Sequence, residues 1–144
     1  MFLASCTESI KEIRLSDYQK IESFYKKHKY ADFNAFKFVI IINDEGDCLN
    51  CNNMFAKTIS KSIDNNKLLF IVSESGAKVD ISAYIDNSKK NVIWDTKSEF
   101  DKLNLVKRCT IFELKDKKII NKTEISSNNI ETFQFIDSTN KVVY

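Results

Sequence analysis

The segment that decides the fold reads FKFVIIINDEGDCLNCNNMFAKTI and comprises residues 36–59. Its first seven residues are nearly all apolar and rich in β-branched side chains, which predicts a central strand that is buried on both faces. A polar turn follows, and then two cysteines, Cys48 and Cys51, are separated by two residues. The apolar spacing beyond them predicts a helix over residues 49–63 with five side chains toward the core: Leu49, Met54, Phe55, Ile59 and Ile63.

Two cysteines at the start of a helix have a chemical rationale. Unpaired backbone N–H groups and the positive end of the helix dipole stabilise a thiolate at the first position. The second cysteine lies one helical turn later and can resolve a mixed disulfide. We therefore predict that Cys48 is the attacking thiol and partly exposed, and that Cys51 is the resolving thiol and mostly buried. Oxidation is expected to join these two cysteines.

The rest of the chain alternates between helical and strand patterns. Further helices are predicted over residues 8–29, 79–85, 96–103 and 127–136, and the last of these segments could instead form a strand. The first helix could be two, because Ser16 and Asp17 are suited to cap a second segment. Further strands are predicted over residues 68–72, 92–94, 110–114 and 118–123, the last two joined by a tight turn at Asp116 and Lys117. Alternation followed by a hairpin indicates a mixed sheet with helices on both faces.

Composition limits the function classes. The chain has 144 residues, of which 43% are hydrophobic and 29% charged, which is typical of one globular domain. Its net charge of +2 argues against nucleic-acid binding. The chain has no Gly-rich phosphate loop, so we predict no cofactor. We predict no metal site either, although a set formed by Cys48, Cys51, Cys109 and the single histidine, His28, is a weaker alternative.

The N-terminus carries a second signal. Residues 3–6, LASC, look like a bacterial lipobox, in which the cysteine that follows the cleavage site carries lipid. Residues 1–8 are then a tether with Cys6 as the lipid attachment, and residues 9–144 form one domain. The alternative is a terminus in which this cysteine occurs by chance.

Together, the Cys48-Leu49-Asn50-Cys51 motif and the later block NVIWDTKSEFDKLNLVKRCTIFELKDKKII, residues 91–120, resemble the thioredoxin superfamily. They are most similar to its membrane-anchored (TlpA-type) thiol-disulfide oxidoreductases of the bacterial envelope. The resemblance covers roughly residues 36–124. It implies an α/β thioredoxin-like fold with a central mixed sheet of four to five strands flanked by helices on both faces.

The chain departs from that family at three places. Leu49-Asn50 stands between the cysteines, where the family often has Gly-Pro or a similar pair. Asp47 stands where the family usually has tryptophan, and an acidic neighbour disfavours the thiolate. Cys109 stands where the family has a cis-proline, and we expect a trans bond before it because a cis bond there costs ~3–4 kcal/mol. Cys109 is either a third redox thiol near the motif or a buried cysteine that fills space.

The resemblance implies a monomeric thiol-disulfide oxidoreductase that acts on a disulfide or dithiol of a partner protein. Cys48 and Cys51 would be catalytic, and the substrate-binding residues would be Leu49, Asn50, Arg108 and Cys109. We expect the protein in the cell envelope or periplasm rather than the cytoplasm, in contact with a membrane only through Cys6. The alternative is a redox-inactive lipoprotein that binds or supports partners, with the CxxC as a structural disulfide or a metal-binding pair.

Overall fold

The computed structural model of the protein describes residues 14–29, 31–46, 48–73, 79–85, 90–130, 135–136 and 142–143. Its two α-helices are α1 (Asp17–His28) and α2 (Leu49–Ile59). Its strands are β1 (Phe38–Ile42), β2 (Leu68–Ser73), β3 (Val92–Asp95), β4 (Thr110–Lys115), β5 (Lys118–Glu124), β6 (Phe135–Ile136) and β7 (Val142–Val143). Four short 3-10 helices comprise Phe33–Ala35, Ser60–Ser62, Ser82–Tyr84 and Asp101–Leu103.

The main sheet has five strands in the order β3-β2-β1-β4-β5. β1 is parallel to β2, and β2 is parallel to β3, while β4 pairs antiparallel with both β1 and β5. β6 and β7 form a separate two-stranded sheet. The sequence-based expectation of a central strand is confirmed, because β1 lies in the middle of the mixed sheet. This architecture is compatible with a thioredoxin-like fold.

A hydrophobic core lies on each face of the sheet. Alternate side chains of β1 point to opposite sides, so Ile40 and Ile42 pack toward α2 and Val39 and Ile41 pack toward α1. α2 contributes Cys51, Phe55, Ala56 and Ile59 to the first core. α1 contributes Tyr18, Ile21, Phe24 and Tyr25 to the second core. The predicted placement of helices on both faces is therefore confirmed.

Local signals at two element boundaries are also confirmed. Ser16 caps α1, since its hydroxyl accepts the backbone N–H of Gln19 at 3.2 Å and the Gln19 side chain accepts the Ser16 N–H at 2.8 Å. Asp116 and Lys117 both adopt left-handed backbone angles, with φ of 51° and 58°. Two consecutive positive φ angles are typical of the two-residue turns that connect tight hairpins.

The helix predicted over residues 96–103 is wrong. Ser98 has a φ of 51°, which breaks a right-handed helix, and only Asp101–Leu103 is helical, as a 3-10 turn. The buried carboxylate of Asp95 accepts the backbone N–H groups of Glu99 and Phe100, both at 2.9 Å. Asp95 therefore holds the turns that replace the predicted helix.

Three other expectations need correction. In α2, Leu49 and Met54 were expected in the core, but they are 44% and 50% exposed. Within residues 79–85, only the 3-10 helix Ser82–Tyr84 forms. The helix expected over 127–136 is replaced by turns at 127–130 and by β6, which is the strand alternative. Among the described residues, no helix is both long enough and apolar enough to cross a membrane.

Candidate functional site: the Cys48–Cys51 pair

Cys48 is the N-cap residue of α2. Its backbone carbonyl accepts the N–H of Asn52 at 3.1 Å, which is the first hydrogen bond of the helix. Its Sγ accepts the backbone N–H of Cys51 at 3.1 Å. The sulfur thus lies at the end of the helix where backbone N–H groups lack carbonyl partners and where the helix dipole favours negative charge.

Cys48 and Cys51 are joined in a disulfide, with their Cα atoms 5.1 Å apart. Cys48 is half-buried, whereas Cys51 is only 3% exposed and belongs to the core beneath α2. The predicted pairing and the predicted difference in exposure are both confirmed. Cys48 is therefore the more accessible residue of the pair.

The loop before Cys48 is anchored to its surroundings. The Asn52 side chain is 2% exposed and donates from Nδ2 to the backbone carbonyl of Glu45 at 2.9 Å. Gly46 has a φ of +96°, and an ideal Cβ placed on it would lie 3.1 Å from the Cβ of Arg108. A side chain at position 46 would therefore be strained, and the glycine lets the loop approach the segment before β4 closely.

Cys109 is a buried thiol, separate from the disulfide. Its Sγ donates to the backbone carbonyl of Asn43 at 3.3 Å and accepts the Asn43 N–H at 3.4 Å. Burial raises the pKa of the thiol to about 12, although the Asn43 hydrogen bond lowers it in part. A thiol that keeps its proton is a poor nucleophile, so these observations favour the space-filling interpretation of Cys109 over a third redox thiol.

The other predicted substrate-binding residues differ in exposure and lie in different segments. Leu49 and Asn50 are exposed on the first turn of α2, directly beside Cys48. Arg108 is half-buried, and its Cβ lies against Gly46. No described peptide bond is cis, so the bond between Arg108 and Cys109 is trans, as expected. Whether these residues bind a substrate stays a prediction.

Acidic residues gather at the carboxyl ends of the parallel strands. Asp44 and Glu45 follow β1, Asp95 ends β3, and Asp101 lies close by, with its Oδ2 3.5 Å from the Ser73 hydroxyl that ends β2. Burial, and then the charges of Glu45, Asp95 and Asp44, raise the pKa of Asp101. The CxxC lies at the same end of the strands, so the disulfide lies at the acidic end of the sheet.

Sequence reasoning missed the buried polar residues at this end of the sheet. Asn43 and Asn52 are 1% and 2% exposed, and Asp95 is 1% exposed. Asn52 could have been recognised from its position four residues after Cys48, on the same helical face as the buried Phe55 and Ala56. No sequence signal was available for the contact between Asn43 and Cys109, which joins residues 66 positions apart.

The weaker metal-site alternative finds no support. His28 belongs to α1, on the opposite face of the sheet from α2, and its Nδ1 lies 2.9 Å from the carbonyl oxygen of Phe24. Within the described ranges, no group of three or more His, Cys, Asp or Glu side chains is arranged to hold a metal ion. Asp47 and Cys6 fall outside the described residues, so the predictions that concern them stay predictions.

Comparison with known proteins gives no match. No protein-family model matches the chain, and no curated protein and no solved structure is significantly similar to it.

Proposed function

We propose that the protein is a thiol-disulfide oxidoreductase that acts on disulfides or dithiols of partner proteins through Cys48 and Cys51. The observation that carries the proposal is the position of the pair. A half-buried cysteine at the N-cap of an 11-residue helix is joined to a buried cysteine one turn later. Helix N-termini lower thiol pKa values, and exposure of one sulfur alone assigns the order of attack.

In the reducing direction, the chemistry takes two exchanges. The Cys48 thiolate attacks one sulfur of the substrate disulfide, that S–S bond breaks, and the released substrate thiolate takes a proton. A mixed disulfide now joins Cys48 to the substrate. The Cys51 thiolate then attacks the Cys48 sulfur, the second substrate thiol leaves, and the Cys48–Cys51 disulfide forms. Two electrons pass to the substrate, and a dithiol reductant must restore the starting state.

The first turn of α2 supplies a surface for the partner. Leu49, which is 44% exposed, and the exposed Asn50 lie between the two cysteines, and the exposed Met54 follows on the same helix. A substrate that reaches Cys48 must pass over these side chains. We propose Leu49 and Asn50 as its contacts, with the half-buried Arg108 beyond the loop. A location in the bacterial envelope and a lipid anchor at Cys6 belong to the same proposal.

A second candidate is a binding or structural module whose CxxC is a structural disulfide. Two observations favour it: the bond before Cys109 is trans, and Cys109, which the resemblance aligns with the family's cis-proline, is fully buried. Under this alternative, the disulfide holds the start of α2 to its own first turn. Reduction would then loosen the fold rather than leave it intact.

Turnover of a protein disulfide tests the proposal. We expect the full chain to accelerate the reduction of insulin by dithiothreitol, and Cys48→Ser to abolish that acceleration. Cys51→Ser should trap a mixed disulfide with substrate, visible as a mass increase. Cys109→Ala is the matched control and should keep the activity. A wild-type rate equal to that of the Cys48→Ser variant would contradict the proposed activity.

A further inference from the structure

A cavity of about 320 Å³ lies at the end of the sheet opposite to the disulfide, near the start of β1. It is bounded by the start of α1, by the segment that leads into β1 and by the hairpin turn between β4 and β5. Its apolar wall is formed by Tyr18, Phe36 and Leu114. Tyr18 and Leu114 are 5% and 8% exposed, so this wall continues the core beneath α1.

Three lysines line the same cavity: Lys37, Lys115 and Lys117. Within the part of the chain that the structure describes, none of the three ammonium groups forms an ion pair with a carboxylate. Asp116 is the single carboxylate among the described lining residues. Three lysines and one aspartate leave the lining with a net positive charge, which favours the approach of an anion.

The backbone that carries these lysines is held by hydrogen bonds. Lys37 donates its N–H to the carbonyl of Lys67 and accepts the N–H of Leu114, both at 2.8 Å. Lys117 lies in the tight turn of left-handed residues that joins β4 to β5. On the third side, the Tyr18 hydroxyl donates to Oδ1 of Asn34 at 2.9 Å. Hydrogen bonds therefore hold the backbone around the cavity.

We propose that this cavity binds a small organic anion: a phosphate or carboxylate group carried on an apolar body about the size of one aromatic ring. The ammonium groups would hold the anionic group, since lysine binds phosphate and carboxylate oxygens by charge-assisted hydrogen bonds. The apolar body would pack on Tyr18, Phe36 and Leu114. The volume falls at the lower end of the range for small-molecule pockets, which matches a ligand of this size. This site is independent of the proposed redox activity.

Titration of the oxidised full chain with phenyl phosphate, followed by amide NMR shifts, tests the assignment. We expect saturable shifts confined to Tyr18 and to residues 34–37 and 114–117. Benzyl alcohol, which lacks the charge, and inorganic phosphate, which lacks the ring, should each bind about tenfold more weakly. Absence of saturable shifts in these segments overturns the proposal, as does equal affinity for either of the two control compounds.

Matched variants decide whether the lysines are responsible. The triple variant Lys37→Gln, Lys115→Gln, Lys117→Gln should bind phenyl phosphate about tenfold more weakly than wild type. The control is Lys61→Gln, Lys97→Gln, Lys102→Gln, which removes the same charge from exposed lysines outside the cavity. An equal loss of affinity in both triple variants would mean that net charge alone causes the effect, and it would overturn the proposed site. Asp116→Asn removes the carboxylate from the lining, and asparagine suits a left-handed turn position. This variant should bind phenyl phosphate more tightly, and unchanged or weaker binding would also contradict the proposed site.

Discussion

Cys51 donates its backbone N–H to the Sγ of Cys48 at 3.1 Å, so the two cysteines are joined by a hydrogen bond as well as by a disulfide. The hydrogen bond runs from the first turn of α2 to its cap, where a thiolate on Cys48 would gain the most from a nearby donor. The Cys51 side chain points into the core. This relationship distinguishes the roles of two otherwise equivalent thiols.

The first prediction concerns the order of alkylation in the reduced protein. With a limiting amount of iodoacetamide, Cys48 should be labelled first, because it is half-buried at a helix N-terminus while Cys51 is 3% exposed. Cys109, with no exposed surface, should be labelled last. Peptide mass mapping over time measures the order. Earlier labelling of Cys51 than of Cys48 would reverse the assigned roles.

The second prediction concerns Cys109. Burial raises the pKa of its thiol, and we expect this side chain to fill space and to bond Asn43 rather than to react. Cys109→Ala should therefore lower the free energy of unfolding by about 1–3 kcal/mol, through a small cavity and the lost contacts. Urea unfolding of the oxidised protein measures this loss. An unchanged stability together with a lost reductase activity would instead show that Cys109 takes part in the chemistry.

A third prediction concerns the loop anchor at Asn52. Replacement by alanine removes the hydrogen bond from Nδ2 to the Glu45 carbonyl and leaves a gap in a buried position. We expect Asn52→Ala to lower the free energy of unfolding by about 1–2 kcal/mol. Asn50→Ala, on the exposed side of the same helical turn, should change it by no more than about 0.5 kcal/mol. Similar effects in the two variants would mean that the buried amide does not hold the loop.

A fourth prediction concerns the pH dependence caused by Asp101. Its pKa is raised mainly by burial, so ionisation is less favourable in the folded state than in the unfolded chain. The folded protein then binds more protons than the unfolded one between the ordinary pKa of 3.8 and the raised value, and this carboxyl lowers stability as pH rises through that window. Asp101→Asn should therefore raise the melting temperature at pH 7.

The gain should disappear near pH 3, where the wild-type carboxyl is protonated in both states. Melting curves of wild type and Asp101→Asn at the two pH values provide the comparison. A variant that is less stable than wild type at pH 7 would show that the ionised carboxylate stabilises the fold instead, by accepting the Ser73 hydroxyl.

Much of the fold could be predicted from sequence because apolar runs and turn residues act locally. β1 is apolar on both faces because it is buried between α1 and α2, and the turn at Asp116 and Lys117 was identified by its residue types. The candidate cysteines were also found, because their spacing matches one helical turn. These features depend on neighbours a few residues apart.

The remaining features depend on contacts that periodicity does not encode. In α2, the polar Asn52 lies on the buried face and bonds the Glu45 carbonyl, while the apolar Leu49 and Met54 lie on the exposed face. After β3, the carboxylate of Asp95 takes the N–H groups that a helix over residues 96–103 would have used internally. In both places a buried polar side chain bonds to backbone groups, and those partners cannot be read from hydrophobic spacing.

The reduction potential of the Cys48–Cys51 pair, measured together with the folded state of the reduced protein, tests the central claim most directly. Equilibration with glutathione or dithiothreitol buffers, followed by mass spectrometry and circular dichroism, gives both quantities. An exchange-active pair should have a potential between about −270 and −120 mV, and the protein should stay folded when reduced. A potential below about −300 mV, or loss of the fold on reduction, would contradict the oxidoreductase proposal and identify a structural disulfide.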